Sequence, residues 1–408
     1  METKRNTLDG IIVFLSFILV VFHTFTFLQI YYNFKVTLGL FAIILFLYVL
    51  SHGTTGIFNN KFQTTLFFLI ITTIFVIGAG IVFKQESVTK MIGAYFPYIM
   101  WAMLYVMVVP LMTESEKKKY VFCFLITFAV SVIATLMVVA TNNEIARLLA
   151  GTLIDEDTRY EYYRKGVGGY GFVYGCVFTL YGIIYFISKV ESKILKLLLW
   201  VVAITTLIMV LYASYTLALI ISLVAIALSI YANVRKKISN FSFVMTILIG
   251  VVVLPIFIIL IHNVATVLEL EWVVKRTGQL LDMRTISDFF DLRRVQLYRQ
   301  SIECFFKNPL LGDGEVGGHS MVLDDFGKYG LFGGAFEISV ILWINKLRKE
   351  ISFKRGLIYA LVIFLVFVNT VDTIVMYPMI LFVLPLILSI KTEGEENESR
   401  YSDTLLQK

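Results

Sequence analysis

IIVFLSFILVVFHTFTFLQI, residues 11–30, is a run of twenty residues without one Asp, Glu, Lys or Arg. As a helix it rises about 1.5 Å per residue and covers roughly 30 Å, the thickness of a bilayer's hydrocarbon core. No small-residue cleavage site follows it, so it reads as a span and not as a removable signal peptide. Runs of the same kind recur along the chain. They are expected at 36–52, 64–83, 92–112, 120–141, 168–188, 197–212, 216–232, 241–262, 327–345, 356–370 and 375–390. The last two are nearly continuous, broken by Asn369, Asp372 and Pro378, and read as a helical hairpin turning near Asp372. Composition agrees: of 408 residues 58% are hydrophobic and only 16% charged, against about 25% charged in soluble domains. So few charges cannot cover a water-facing surface. The expected fold class is an all-α polytopic transmembrane bundle of about twelve spans.

The placement of charge orients the bundle. Lysine and arginine favour short cytoplasmic loops. Lys4, Arg5, Lys61, Lys117, Lys118, Lys119, Lys189, Lys193 and Lys196 fall on one side if twelve spans alternate, as do Arg235, Lys236, Lys237, Lys346, Arg348, Lys349, Lys354 and Arg355. The opposite short loops hold Lys35, Lys84 and Lys90. Both termini are therefore expected in the cytoplasm. Residues 1–262 then hold nine spans, with an external loop at about 142–167. A large external loop covers 263–326, three more spans lie in 327–390, and 391–408 form an acidic, disordered cytoplasmic tail. Of the three cysteines, Cys123 and Cys176 lie in apolar runs and Cys304 in a polar loop, so no disulfide framework is expected.

Polar chemistry concentrates in the loop 263–326. Residues 286–307 (ISDFFDLRRVQLYRQSIECFFK) have the pattern of an amphipathic helix, with Ser287 as N-cap and Pro309 as its stop. At 100° per residue Leu292, Val295, Tyr298, Ile302, Phe305 and Phe306 form one apolar stripe. Arg299 falls within it, Arg294 at its edge, and Arg293 faces away. Two readings stand side by side: an interfacial helix whose arginines meet membrane-lipid phosphates, or Arg294 and Arg299 turned toward a pocket for an anionic ligand. Then comes NPLLGDGEVGGHSMVLDDFGKYGLFGG, residues 308–334. Its glycines Gly312, Gly314, Gly317 and Gly318 suit either a flexible turn or a nest of backbone N–H groups for an anion. No βαβ unit surrounds them, so a dinucleotide fold is excluded, and no nucleic-acid partner is expected.

These residues resemble the O-antigen ligase and polysaccharide polymerase superfamily, the Wzy/WaaL type. The likeness rests on Arg294, then Asn308-Pro309-Leu310-Leu311-Gly312-Asp313-Gly314, then His319-Ser320-Met321-Val322-Leu323, then Gly330. It covers about 40 residues in detail, and the whole chain agrees in span count and in the position of its largest external loop. Residues 159–175 (RYEYYRKGVGGYGFVYG) are similar to an arginine- and glycine-rich mouth in many such polymerases. That makes Arg159 and Arg164 candidate ligand contacts, against the alternative of snorkelling at a helix end. One position departs: where the family often has Ser-Arg, this chain has Ser214-Tyr215. Arg164 or Arg276 would have to replace that arginine.

The resemblance implies a GT-C-like bundle in the bacterial cytoplasmic membrane, acting on its external face. It implies an undecaprenyl-pyrophosphate-linked oligosaccharide as donor and as acceptor, with a flippase and a chain-length regulator as companions. The expected activity is polymerisation of repeat units into O-antigen, capsule or exopolysaccharide. The alternatives are a ligase with another acceptor, and a lipid-linked oligosaccharide flippase or transporter; no internal repeat of the transporter kind is visible. Arginine forks suit the pyrophosphate. A histidine, titrating near neutrality, suits deprotonation of the acceptor hydroxyl. His319 is the expected base, Arg294, Arg299, Arg276, Arg164 and Arg159 the ligand contacts, and Asp324 and Asp325 candidates for orienting His319. No cofactor and no metal are expected; Asp155-Glu156-Asp157 is the one tight acidic cluster nearby and reads as a solvated loop. Glu337 and Asp372 are intramembrane carboxylates, expected to pair with an arginine or face a wet cavity. His23 and His262 are expected to pack.

Overall fold

The computed structural model describes residues 7–54, 61–142, 145–149, 155–213, 215–234, 239–267, 269, 271, 273–274, 277–278, 293–313, 315–351, 353–370 and 376–391. Arg276, Ser287, Asp372, Arg235 to Lys237, Lys4, Arg5 and the acidic tail lie outside them. The described residues are helical, with no strand among them. The helices are α1 Thr7–Thr24, α2 Phe34–His52, α3 Gln63–Lys84, α4 Val88–Val108, α5 Glu114–Val139, α6 Glu156–Arg164 and α7 Tyr170–Ile187. They continue with α8 Lys193–Tyr212, α9 Thr216–Val234, α10 Asn240–Val267, α11 Arg293–Lys307, α12 Met321–Lys349, α13 Phe353–Asn369 and α14 Leu384–Ser389. Among the described residues eight helices are long and apolar enough to cross a membrane: α1 to α5, α7, α8 and α12. This is a helical, multi-pass membrane protein.

An apolar run does not say whether it faces lipid or protein, and here the two fates diverge. In α7, 89% of the span is buried inside the bundle, against 22% in α2. The core helix α7 is enclosed by α8, α9 and α14. Hydroxyls pin it: Tyr181 Oη donates to Arg355 O at 2.7 Å and Tyr185 Oη to Ile390 O at 2.8 Å. Thr72 Oγ1 donates to Ser339 Oγ at 2.8 Å, joining α3 to α12. Such interhelical bonds contribute about 0.6 kcal/mol each in membranes.

The loop contacts sort into two faces. On one, Ser51 and His52 meet Asp9, Lys61 pairs with Glu350, and the Arg355 guanidinium lies 4.5 Å over the Tyr185 ring. The Lys391 N–H donates to Glu114 there, at 2.8 Å. This lysine face gathers loops that the charge pattern puts together. On the other face, Lys84 Nζ donates to Gly312 O at 2.9 Å, and Glu86 takes ion pairs from Lys90 and Lys328 at 2.7 Å each. Two lysines hold the Glu86 carboxyl below its usual pKa.

α12 is not one straight span. At Gly330 the backbone turns to φ 58°, ψ −133°, outside helical geometry and open only to glycine. The stretch before it, 321–329, folds back so tightly that a Cβ on Gly333 would collide with Asp325 O. The sequence pattern places a span at 327–345; instead a short helix precedes it and carries the polar residues.

Candidate functional site

The site lies where the folded-back start of α12 meets α11 and the end of α13. α11 does not bury the stripe its apolar residues suggest. Phe306 is 72% exposed and Ile302 41%, whereas Ser301 and Cys304 are buried. Small side chains and glycines explain this. A Cβ on Gly327 would stand 2.5 Å from Ser301 O, and one on Gly317 would collide with Leu297 O. The glycines let three backbones touch. After Lys307 the chain turns: Gly312 N–H donates to Asn308 O at 2.7 Å, and Leu331 N–H reaches Pro309 O at 2.8 Å.

The glycine turn does form an anion nest, and the chain's own carboxylate fills it. Asp324 Oδ1 accepts from Ser301 Oγ at 2.6 Å and from Gly318 N–H at 3.2 Å; its Oδ2 accepts from Ser320 N–H at 3.0 Å. Ser301 Oγ in turn accepts from Gly317 N–H at 2.9 Å. Gly318 has φ +69°, which turns the chain toward the carboxylate. Ser320 caps α12, accepting from Leu323 N–H at 3.2 Å.

His319 stands between the two pinned residues, with its ring exposed. Its Nδ1 lies 2.7 Å from Gly318 O. A carbonyl can only accept, so Nδ1 carries a proton, and in the neutral ring the lone pair is on Nε2. Asp324 therefore positions His319 through the backbone and not through the ring. Asp325 does not serve His319. It turns to the bundle, where Tyr95 Oη donates to its Oδ1 at 2.8 Å and Glu337 is a second partner. Glu337, read as an intramembrane carboxylate, thus meets another carboxyl group.

Arg294 and Arg299 part company. Arg299 pairs with Glu303 at 2.7 Å and is 80% exposed, on the same open side of α11 as Ile302 and Phe306, so its place in the stripe turns it away from a pocket. Arg294 meets the Tyr298 hydroxyl one turn on, and its charge reaches Tyr174 of α7. Tyr298 Oη donates to Asn369 Oδ1 at 2.8 Å, which leaves its oxygen to accept from Arg294. Burial raises the pKa of Tyr298 against the opposing pull of Arg294. Tyr298 also lies in the field of Asp324. Met321 N–H donates to Thr370 O at 2.8 Å, which brings the end of α13 beside both.

Tyr215, at the departing position, joins a phenol cluster. Its ring is 5.4 Å from Tyr170 and 5.8 Å from Tyr174, and its hydroxyl donates to Ala146 O at 3.1 Å. Arg159 and Arg164 sit on α6, which packs against the 3-10 turn Thr26–Tyr31. Arg159 is half-buried, Arg164 exposed. Asp155 caps α6: it accepts from Thr158 N–H and Oγ1, each at 2.8 Å, and these bonds lower its pKa. Among the described residues no group of three His, Cys, Asp or Glu is placed to hold a metal.

Sequence reasoning missed Ser301, Asn369 and the role of Tyr298. Tyr298 was legible as the residue one turn after Arg294. Asn369 was legible as an amide in an apolar run; Ser301 carried no signal. No protein-family model matches the chain, and no curated protein matches it.

Proposed function

We propose that this protein is a membrane glycosyltransferase of the polysaccharide polymerase type, moving lipid-pyrophosphate-linked oligosaccharides onto a new lipid-linked unit. In this reading twelve helices cross the bacterial cytoplasmic membrane, the lysine face is cytoplasmic, and the His319 face is external. One observation carries it: an imidazole with a free Nε2 stands on a backbone pinned by Asp324. On the neighbouring helix the Tyr298 hydroxyl meets the Arg294 guanidinium. The order of Arg294, the Asn308–Gly312 turn, His319 and Gly330 supports the same reading through its resemblance to the Wzy/WaaL superfamily.

The chemistry follows from the groups. The glycosyl–phosphate C–O bond breaks, and the electron pair leaves with the pyrophosphate. Arg294 stabilises the charge developing there, as a positioned donor does. The acceptor hydroxyl oxygen forms the new glycosidic bond and gives its proton to His319 Nε2. Asp324 keeps the imidazole in place without sharing its proton. Arg159 and Arg164 are second contacts for the lipid-linked chain.

Reconstitution of the purified protein in vesicles with lipid-linked repeat units tests this. The expected product is a ladder of polymer lengths. A single-step product on a different acceptor assigns a ligase. Translocation of the lipid-linked unit without any new glycosidic bond assigns a flippase and overturns the enzymatic reading.

A further inference from the structure

On the bundle side of the candidate site two carboxyl groups meet. α12 breaks at Gly330, and the stretch 321–329 folds back along the rest of the helix, so that Asp325 O would collide with any Cβ on Gly333. Glu337 follows Gly333 by four residues, which puts the two on one helix face. Glu337 is 1% exposed, and it is a side-chain hydrogen-bond partner of Asp325. Tyr95 of α4 closes the group. Its ring stands 4.9 Å from Phe336 and 6.0 Å from Tyr329, edge-on to both, and its hydroxyl donates to Asp325 Oδ1 at 2.8 Å. The phenol thus touches both halves of the broken helix.

An ionised carboxylate only accepts hydrogen bonds, and two of them in contact cannot both stay ionised. The donor between Asp325 and Glu337 is therefore a carboxyl O–H. The charged and titratable neighbours are engaged elsewhere. Lys328, three residues after Asp325, is bonded to Glu86 at 2.7 Å, and Glu86 also takes Lys90. Asp324 is held by Ser301 Oγ and by the N–H groups of Gly318 and Ser320. The Tyr329 hydroxyl lies 3.5 Å from Met91 Sδ.

We propose that Asp325 and Glu337 share one proton, and that this proton fastens the folded-back start of α12 to the bundle. Asp324 and Asp325 then hold one short helix from two sides. Asp324 ties it to α11 and the glycine turn, and Asp325 ties it to α4 and to Glu337. Ser320 caps that helix, and His319 precedes the cap. On the reading of His319 given above, Asp325 and Glu337 are positioning residues, acting on the backbone that carries the imidazole. Without the proton two negative charges meet where Glu337 is shut off from solvent, repulsion there is strong, and the short helix leaves its seat.

Infrared spectroscopy of the full chain in lipid vesicles tests the proton. Carboxyls with the ordinary pKa of about 4 are ionised at neutral pH, so a protonated C=O band there comes from exceptional groups. The wild type is expected to show such a band, lost in Glu337→Gln and lost or displaced in Asp325→Asn. A wild type without the band, or a band that either variant leaves unchanged, overturns the proposal. Thiol labelling tests the fastening. Cys304, one turn after Ser301 on α11, is buried, and labelling of its own peptide, read by mass spectrometry, reports opening against α12. Glu337→Gln gives the Asp325 carboxylate an N–H donor that needs no shared proton, so the wild-type rate is expected. Glu337→Ala removes the donor, and labelling is expected to be about tenfold faster. Equal rates in the Gln and Ala variants overturn the proposal. Neither measurement depends on glycosyl transfer, so this inference and the polymerase reading can fail separately.

Discussion

Two short polar helices, α6 and α11, each carry an arginine pair five residues apart, and the protein holds them differently. α6 has no fully buried residue and rests on the turn Thr26–Tyr31. α11 is locked into α12, backbone against backbone, with Ser301 buried and bonded to Asp324. In α6 Arg159 is half-buried and Arg164 faces solvent. In α11 one arginine is held by Tyr298 and the other is paired outward with Glu303. A charge held in place before the reaction needs no reorganisation during it. A charge on a loosely seated helix gives up conformational freedom each time it engages. On this ground the proposed reaction would be carried by α11, with α6 assisting.

The largest effect should come from the residue that α11 and α12 jointly position. His319→Ala is expected to insert and accumulate, because its ring supports no packing, yet to lose about 10²–10⁴-fold in polymerisation rate. Initial rates in proteoliposomes measure this. His319→Gln keeps hydrogen bonding without basicity; near-normal rates in that variant would make His319 a substrate-orienting group and not the base.

Next comes the arginine contrast. Arg294→Ala should lose about 10²–10³-fold, the scale for removing one fixed charge-stabilising donor. Arg299→Ala should stay near wild type. Arg164→Ala should fall between the two, and Arg294→Lys should recover little, lacking the fork that meets both Tyr298 and a phosphate. If Arg164→Ala proves as damaging as Arg294→Ala, the difference between the two helices has no functional meaning.

The seam itself can be broken without touching a charge. Gly327→Ala pushes a methyl group into Ser301 O, a backbone atom with no room to yield. The expected loss is about 1–3 kcal/mol, the usual scale of overpacking, read as a drop in thermal stability in detergent. Gly166→Ala meets a side chain, the Phe27 ring, and should disturb α6 without disturbing α11. Protease accessibility of the two helices separates these outcomes.

The smallest effect concerns the tie between Glu86 and Lys328. The Glu86 carboxyl titrates lower in the folded protein than in the unfolded chain. Its contribution is complete above the ordinary glutamate pKa of about 4.3. It is lost as pH falls through the lowered folded value. Glu86→Gln should therefore flatten the acid limb of a stability–pH profile by a small amount, since the pair is partly exposed. An unchanged limb removes this tie from the forces seating the start of α12.

Much of the bundle was legible in the residues. Uninterrupted apolar runs near residues 11–30, 64–83 and 120–141 can only be helices that bury their own backbone polar groups in lipid. The structure has α1, α3 and α5 there, with α1 ending at Thr24 and the rest of the first run, Thr26–Tyr31, wound as a 3-10 turn. Lysine-bearing loops separated by pairs of runs were bound to share a face, and the contacts of Lys61, Arg355 and Lys391 lie together. The amphipathic helix ending before Pro309 was equally readable, and so was a histidine standing apart after a glycine turn. What the residues by themselves left undecided was which side of each helix meets protein. α7 and α2 are both long and apolar enough to span and their burial is opposite, because lipid and protein interiors accept the same apolar side chains. In α11 the apolar stripe misleads for a related reason: Ser301 is buried because Gly327 permits close approach, and that fit exists only once distant segments have met. The direction of Asp325, the break at Gly330 and the capture of Asp324 by the glycine turn are likewise properties of contact. Each depends on a partner distant in the chain and brought into contact only by folding, Tyr95 for Asp325, Pro309 for Gly330 and Ser301 for Asp324, so only the tertiary structure decides them.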